Sequence, residues 1–123
     1  QVPCEAYSPL EFRHRPISIV TPGTLAVGLM SRPGAEQERA VLADVRRVGG
    51  KTLQIGGPAP DQVPGLAFPM AEDLSDVARG LLAMPVLQLI AYYRAVHLGL
   101  NPDQPRNLSQ VVVLQEADLS PAG

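Results

Sequence analysis

The spacing of hydrophobic and polar residues along this chain changes period several times, and each change predicts an element. Thr24-Leu25-Ala26-Val27-Gly28-Leu29-Met30 is a continuous apolar run, bounded by Pro22-Gly23 and by Arg32-Pro33-Gly34. A run of this length without alternation is expected of a strand buried on both faces, so it predicts a central parallel strand. From Ala35 to Val48 the spacing becomes helical: Val41, Leu42, Val45 and Val48 share one face, while Glu38, Arg39, Arg46 and Arg47 lie elsewhere. Acidic residues lead this helix and basic ones close it, the order its dipole favours. Gly49-Gly50 supplies a left-handed stop, and Lys51 to Gly56 then predicts a second strand. A strand–helix–strand unit of this kind calls for parallel strands joined by a right-handed crossover.

Gly57 to Gly65, rich in Pro and Gly, predicts a loop. Leu66-Ala67-Phe68-Pro69 follows as a short strand, with the proline pointing to a sheet edge or a strand end. Between Ser75 and His97 the chain is strongly apolar, and Pro85 predicts two helices meeting there, the second opened by the proline and stopped at Gly99. Val86, Leu87, Leu89, Ile90, Tyr93 and Val96 form a stripe on that second helix too broad for free exposure, expected to pack on the sheet, on another subunit, or on both. Asn101-Pro102-Asp103 reads as a turn, Val111 to Leu114 as a short strand or extended tail, and the last four residues as a fraying end.

Composition narrows this picture to one aliphatic core. The 123 residues are 46% hydrophobic and 18% charged, with no Trp, as suits helices covering a buried sheet. A net charge of -2 provides no broad footprint for nucleic acid or for an anionic membrane surface, and no apolar stretch is long enough to span a bilayer. Cys4 is the single cysteine, which excludes an intrachain disulfide and a cysteine metal cluster, fits a cytoplasmic setting, and predicts a small buried filler. Asn107-Leu108-Ser109 matches a glycosylation acceptor without any secretory signal beside it, so the match is read as chance. Gly49-Gly50-Lys51-Thr52 is no phosphate loop, because it joins helix to strand and lacks the leading glycine at Val45. No metal-ligand cluster or dinucleotide fingerprint is present, so neither metal nor organic cofactor is expected.

Three blocks carry a resemblance. Glu5-Ala6-Tyr7 with Glu11-Phe12-Arg13-His14 and Pro16, then Pro85-Val86-Leu87-Gln88-Leu89-Ile90-Ala91-Tyr92, then Asp103-Gln104-Pro105-Arg106-Asn107-Leu108 are similar, in order and spacing, to segments of the sugar isomerase (SIS) domain family. The resemblance implies an α/β fold, a flavodoxin-like parallel sheet covered by helices. It implies that residues 1–123 form a single partial SIS domain, its C-terminal half, without the Ser/Thr-rich phosphate loop and glutamate base of the N-terminal half. A chain opening on Gln1-Val2-Pro3 instead of Met fits such a fragment. The implied chemistry is binding of a phosphorylated sugar and, in catalytic members, aldose–ketose isomerisation, in which a base moves a proton between adjacent carbons while another group handles the ring oxygen.

By that resemblance His14 takes the place of the ring-opening histidine, often delivered across a homodimer, and Glu11 accompanies it as the second catalytic candidate. Arg106 and Asn107 order the tail or contact the ligand. Two positions depart from the family: Arg15 replaces a glycine, and Gln110 replaces the lysine that aminotransferase members use in sugar binding and ring opening. Spacing alone leaves alternatives open at several places. His14 can be a loop histidine bonded to backbone; Glu5 and Glu11 can be solvated partners of Arg13 and Arg15; His97 suits the end of a helix; and Ser31 to Gly34 is either the border of a pocket or an ordinary strand–helix loop. At the level of function, an isomerase part and a non-catalytic sugar-phosphate sensor both stand, the second favoured by Arg15 and Gln110.

Overall fold

The computed structural model describes residues 3–14, 16–57, 65–71 and 73–104. In chain order its elements are α1 (Pro9–His14), a 3-10 turn (Pro16–Ile19), β1 (Leu25–Leu29), α2 (Ala35–Arg47), β2 (Lys51–Ile55), β3 (Leu66–Phe68) and α3 (Asp76–His97). The chain divides into two compact units, Gln1–Met84 and Pro85–Gly123. The first holds a three-stranded sheet in the order β1-β2-β3, with both strand pairs parallel. The α/β class expected from the change of period between residues 24 and 56 is the class observed.

The register sorts the sheet into two faces. Ala26 stands opposite Thr52, and Gly28 opposite Gln54, so these four share one face; Val27 opposite Leu53 and Leu29 opposite Ile55 share the other. Leu42 of α2 covers the first face: a Cβ on Gly28 would come within 2.9 Å of its Cδ1. The core consists of Met30, Val41, Leu42, Val45, Leu53, Ile55 and Ala83, with Ile55 and Val45 the largest side chains fully enclosed.

Here the structure changes one expectation. The apolar run in β1 predicted the central strand, yet β2 occupies the middle of the described sheet, and Leu25 and Leu29 of β1 are exposed. Thr52 and Gln54, although polar, are buried in β2 because each finds a bond: Thr52 Oγ1 accepts from Arg46 Nη1 at 2.9 Å, and Gln54 Nε2 donates to the Gly56 carbonyl at 3.0 Å. A buried polar side chain is tolerated once it is satisfied.

The end of α2 follows the predicted stop closely. Gly49 takes φ 96°, its N–H donates to Arg46 O at 3.0 Å, and the Gly50 N–H donates to Val45 O at 2.9 Å, the paired bonds of a Schellman motif. Gly50 is needed for a different reason: a Cβ there would lie 2.6 Å from Val20 Cγ1 and 2.7 Å from Val45 Cγ1. Val48, expected on the apolar face, is the C-cap and is exposed, since the chain leaves helical geometry at that residue.

Pro85 does not separate two helices. It lies inside α3, which runs unbroken for 22 residues. The proline removes one N–H and so one bond to the carbonyl four residues back, Leu81, and Leu81 is an exposed residue where water can stand in for the missing donor. The Leu, Ala, Met and Gln residues on either side are strong helix formers and carry the helix through. The boundary between the two compact units falls at this proline. The stripe expected to be buried is mostly not: Leu89, Tyr93 and Val96 are exposed, while Val86, Leu87 and Ile90 are half-buried. α3 ends with Gly99 N–H on Val96 O and Leu100 N–H on Ala95 O, both 2.9 Å, the same motif that closes α2.

Pro69 follows β3 directly, and β3 lies at an edge of the described sheet, as the proline predicted. The turn at Asn101 forms as expected, with Asp103 N–H on Asn101 Oδ1 at 3.0 Å. Cys4 is exposed in the coil before α1 and fills no core, because that segment has no buried face to contribute to. The predicted loop falls largely on residues 58–64, and the predicted Val111–Leu114 strand lies wholly outside the described residues.

Candidate functional site

The short helix α1 carries the first motif, and local chemistry explains where it begins. Ser8 stands immediately before it, Pro9 is its first residue, and Glu11 is its third. Proline suits a first position, where its missing N–H would have no helical partner. The Ser8 hydroxyl donates to Glu11 Oε2 at 2.7 Å, the Ser8 N–H donates to the same oxygen at 3.2 Å, and the Glu11 N–H reaches back to Ser8 Oγ at 3.5 Å. This reciprocal arrangement is a capping box. The pattern Ser8-Pro9-Leu10-Glu11 was the signal in the sequence that would have revealed it.

Glu11, a catalytic candidate by resemblance, thus has its carboxylate turned to the helix start. The side-chain and then the backbone hydrogen bond from Ser8 hold its pKa below the ordinary value of 4.5, and the carboxylate stays open to solvent. A depressed carboxylate contributes to the fold above its unfolded pKa and loses that contribution as pH falls through its folded pKa. In an NMR titration Glu11 is therefore expected to show a midpoint below 4.5, and Ser8→Ala to move it back up. A midpoint insensitive to Ser8→Ala would contradict the box.

Arg13 does not pair with Glu5 or Glu11. Its Nε donates to Asp44 Oδ2 at 2.7 Å and its Nη2 lies 2.6 Å from the same oxygen. Arg47 Nη2 donates to the other oxygen, Oδ1, at 2.8 Å. Asp44 lies among Val41, Leu42 and Val45 on the buried side of α2, an acid made tolerable by two guanidinium partners. Residue spacing pointed to neither the pair nor its importance, because Arg13 and Asp44 are 31 positions apart. Tyr7 and Phe12 add a tilted ring contact with centroids 5.8 Å apart.

His14 occupies the last turn of α1, exposed, with no hydrogen-bond partner for its imidazole among the described residues. That placement leaves the ring free to meet a ligand and also suits a helix C-terminus. Glu5 is exposed in the preceding coil. His97 lies in the last turn of α3, also exposed, as the helix-end reading of it required. Arg15, Arg106, Asn107 and Gln110 lie outside the described residues.

At the carboxyl ends of β1 and β2 a cavity of about 200 Å³ opens, lined by Leu29, Met30, Ser31, Ile55, Asp76 and Arg79 among others. Ligands of open α/β sheets favour this side of the sheet, and the loop Ser31–Gly34 borders it. Yet the donors of that loop are engaged by the chain's own acids. Glu38 accepts the Ser31 N–H at 2.8 Å and the Ser31 hydroxyl at 2.7 Å, and Asp76 accepts the Arg32 N–H at 3.1 Å. The Ser31 and Arg32 N–H groups that a phosphate could use are thus already taken by carboxylates, although Arg79 also lines the cavity. A second cavity, about 310 Å³, lies along α2 beside Arg39, Arg46, Thr52, Gln54 and Leu66. Burial lowers the pKa of Arg46 there. Among the described residues no group of three or more His, Cys, Asp or Glu gathers as a metal centre, and no helix is long and apolar enough to cross a membrane.

No family model matches this sequence. Individual relatives do. The chain is 32% identical over 114 residues to glutamine–fructose-6-phosphate aminotransferase [isomerizing] of Thermus thermophilus, covering 90% of this chain and 19% of that protein. The protein of the same name from Streptococcus pneumoniae is 30% identical over 117 residues, 93% of this chain and 19% of the relative. That of Methanothermobacter thermautotrophicus is 27% identical over 116 residues, 90% and 20%. The chain spans about one fifth of the length of the curated relatives it matches.

Proposed function

We propose, from the premise that this chain belongs to the sugar isomerase (SIS) family, that it is the later part of a phosphosugar-binding domain that interconverts an aldose phosphate and a ketose phosphate. The observation that carries this reading is His14, an exposed imidazole with no hydrogen-bond partner among the described residues, on a helix whose start is capped and whose next-to-last residue is tied to α2. In this reading His14 passes a proton to and from the ring oxygen as the sugar opens. A carboxylate base, expected in the other half of the domain, then moves a proton from one carbon to its neighbour through an enediolate. A second proton passes from the hydroxyl oxygen of one carbon to the carbonyl oxygen of the other, so that substrate and product are isomers. The word "isomerizing" in the relatives' names supports this class of reaction.

The phosphate-binding half of the domain, in the same proposal, lies outside residues 1–123. The loop at Ser31 supports this, since its Ser31 and Arg32 N–H groups are already bonded to Glu38 and Asp76. Arg106, Asn107 and Gln110 order the tail over the sugar. The protein works in the cytoplasm as a homodimer, supported by the exposed Leu89, Tyr93 and Val96 of α3.

A sensor that binds the sugar phosphate without reaction is the second reading, favoured by Arg15 where the family has glycine and Gln110 where aminotransferase members have lysine. One experiment separates the two. The full-length protein is incubated with fructose 6-phosphate and other hexose phosphates, and melting and product are followed together, with sedimentation on the same sample. Isomerised product from a dimer supports the first reading. Ligand-dependent melting without product supports the second, and neither effect sinks both.

A further inference from the structure

We infer that Asp44 is a positioning residue: through Arg13 it fixes the short helix α1 and thereby sets where the His14 imidazole stands. The inference rests on the reading of His14 given above. α1 has six residues and none of them is buried. A helix of this length does not keep its conformation alone in water. Its capping box is local, closing the helix start without fixing α1 against anything else.

What ties α1 to distant sequence, in polar contacts among the described residues, is the double approach of Arg13 to Asp44 Oδ2 at 2.7 and 2.6 Å. The anchor is firm for two reasons. Asp44 opens the last turn of α2, beside Val41, Leu42 and Val45, which are buried. Arg47 holds the other carboxylate oxygen at 2.8 Å, leaving Oδ2 for Arg13. The Asp44 side chain is only 13% exposed, against 43% for Arg13 and 76% for Arg47. A shielded carboxylate attracts a guanidinium more strongly than a fully solvated one. Arg13 directly precedes His14, so a guanidinium pinned at Asp44 fixes the backbone one residue from the imidazole. Arg47 is exposed and, among the described residues, its guanidinium bonds within its own helix, steadying the carboxylate.

The test compares Asp44→Asn, Arg13→Ala, Arg13→Lys and Arg47→Ala in the full-length protein, reading amide hydrogen exchange at residues 12–14 and hexose-phosphate turnover. Asp44→Asn and Arg13→Ala are expected to speed exchange in α1 by about tenfold or more. In both, kcat is expected to fall by about tenfold with KM changed by less than about twofold. Arg13→Lys should recover part of both, and Arg47→Ala should resemble the parent. Equal losses in Arg47→Ala, or unchanged exchange in Asp44→Asn and Arg13→Ala, overturn the inference, because Asp44 would then serve α2 alone. If Asp44→Asn does not fold, Arg13→Ala, altering a half-exposed side chain, carries the comparison. If the parent protein neither binds nor converts hexose phosphates, the proposed function fails, while the exchange data still decide whether Asp44 places α1.

Discussion

His14→Ala is expected to lower kcat for hexose-phosphate isomerisation by roughly 10²–10⁴-fold, the usual contribution of a positioned general acid–base. The fold should not notice. His14 is exposed and has no hydrogen-bond partner among the described residues, so its loss leaves neither a cavity nor an orphaned group. Surface changes of this kind alter stability by no more than about 0.5 kcal/mol. The separation of the two effects is what makes the result informative, since a fall in turnover cannot then be blamed on unfolding. His14→Gln refines it. An amide can still hydrogen-bond a sugar oxygen but cannot gain and lose a proton as an imidazole does. If Gln restores turnover, hydrogen bonding is the role; if Gln is as poor as Ala, proton transfer is. Turnover equal to the parent in both variants would remove His14 from the mechanism.

Ile55→Ala should be the most costly single truncation in the first compact unit. Ile55 is 2% exposed, on the middle strand of the described sheet, opposite Leu29 on one side and Phe68 on the other. Its N-terminal neighbours Leu53 and Gln54 are also buried, and the Met30 N–H donates to its carbonyl at 2.9 Å. Removing the side chain beyond Cβ forfeits its transfer free energy and leaves a void that paired strands on both sides cannot collapse into. Such changes cost about 2–5 kcal/mol, a large share of the roughly 5–15 kcal/mol that holds a domain folded. A urea melt of the full-length protein reads the loss as a lower midpoint at unchanged slope. A loss below about 1 kcal/mol would show that this end of the sheet relaxes freely, contrary to the enclosed position of Ile55. Because Ile55 also lines the 200 Å³ cavity, the void would open into it.

The elements that sequence spacing identified best were those whose ends are written locally. The stop of α2 required a glycine able to take φ 96°, and Gly49 stands there. The strand–helix–strand unit followed from a change of hydrophobic period, which depends on neighbours a few residues away. Expectations failed where the deciding partner was remote or the rule was statistical. Pro85 predicts a break, yet the helix formers around it and the exposed position of Leu81 let α3 continue. Of the candidate site, the resemblance supplied His14 and Glu11, and the structure joined Glu11 to Ser8 and Arg13 to Asp44. The first of these was legible as a Ser-x-x-Glu pattern; the second was not.

By itself the sequence determined the α/β class, the parallel strand–helix–strand unit, the helix stop at Gly49 and the family resemblance. Hydrophobic period and glycine conformation are properties of short windows, which is why they survive without a fold. The tertiary structure alone decided that β2 and not β1 is the middle strand of the described sheet, that Thr52 and Gln54 are buried with partners, and that the donors near Ser31 are taken by Glu38 and Asp76. It also decided that Asp44, on the buried side of α2, pairs with Arg13 of the helix carrying His14. Each of these depends on which distant residues meet, and a charge or an amide is stable in the interior only when its partner arrives from elsewhere in the chain.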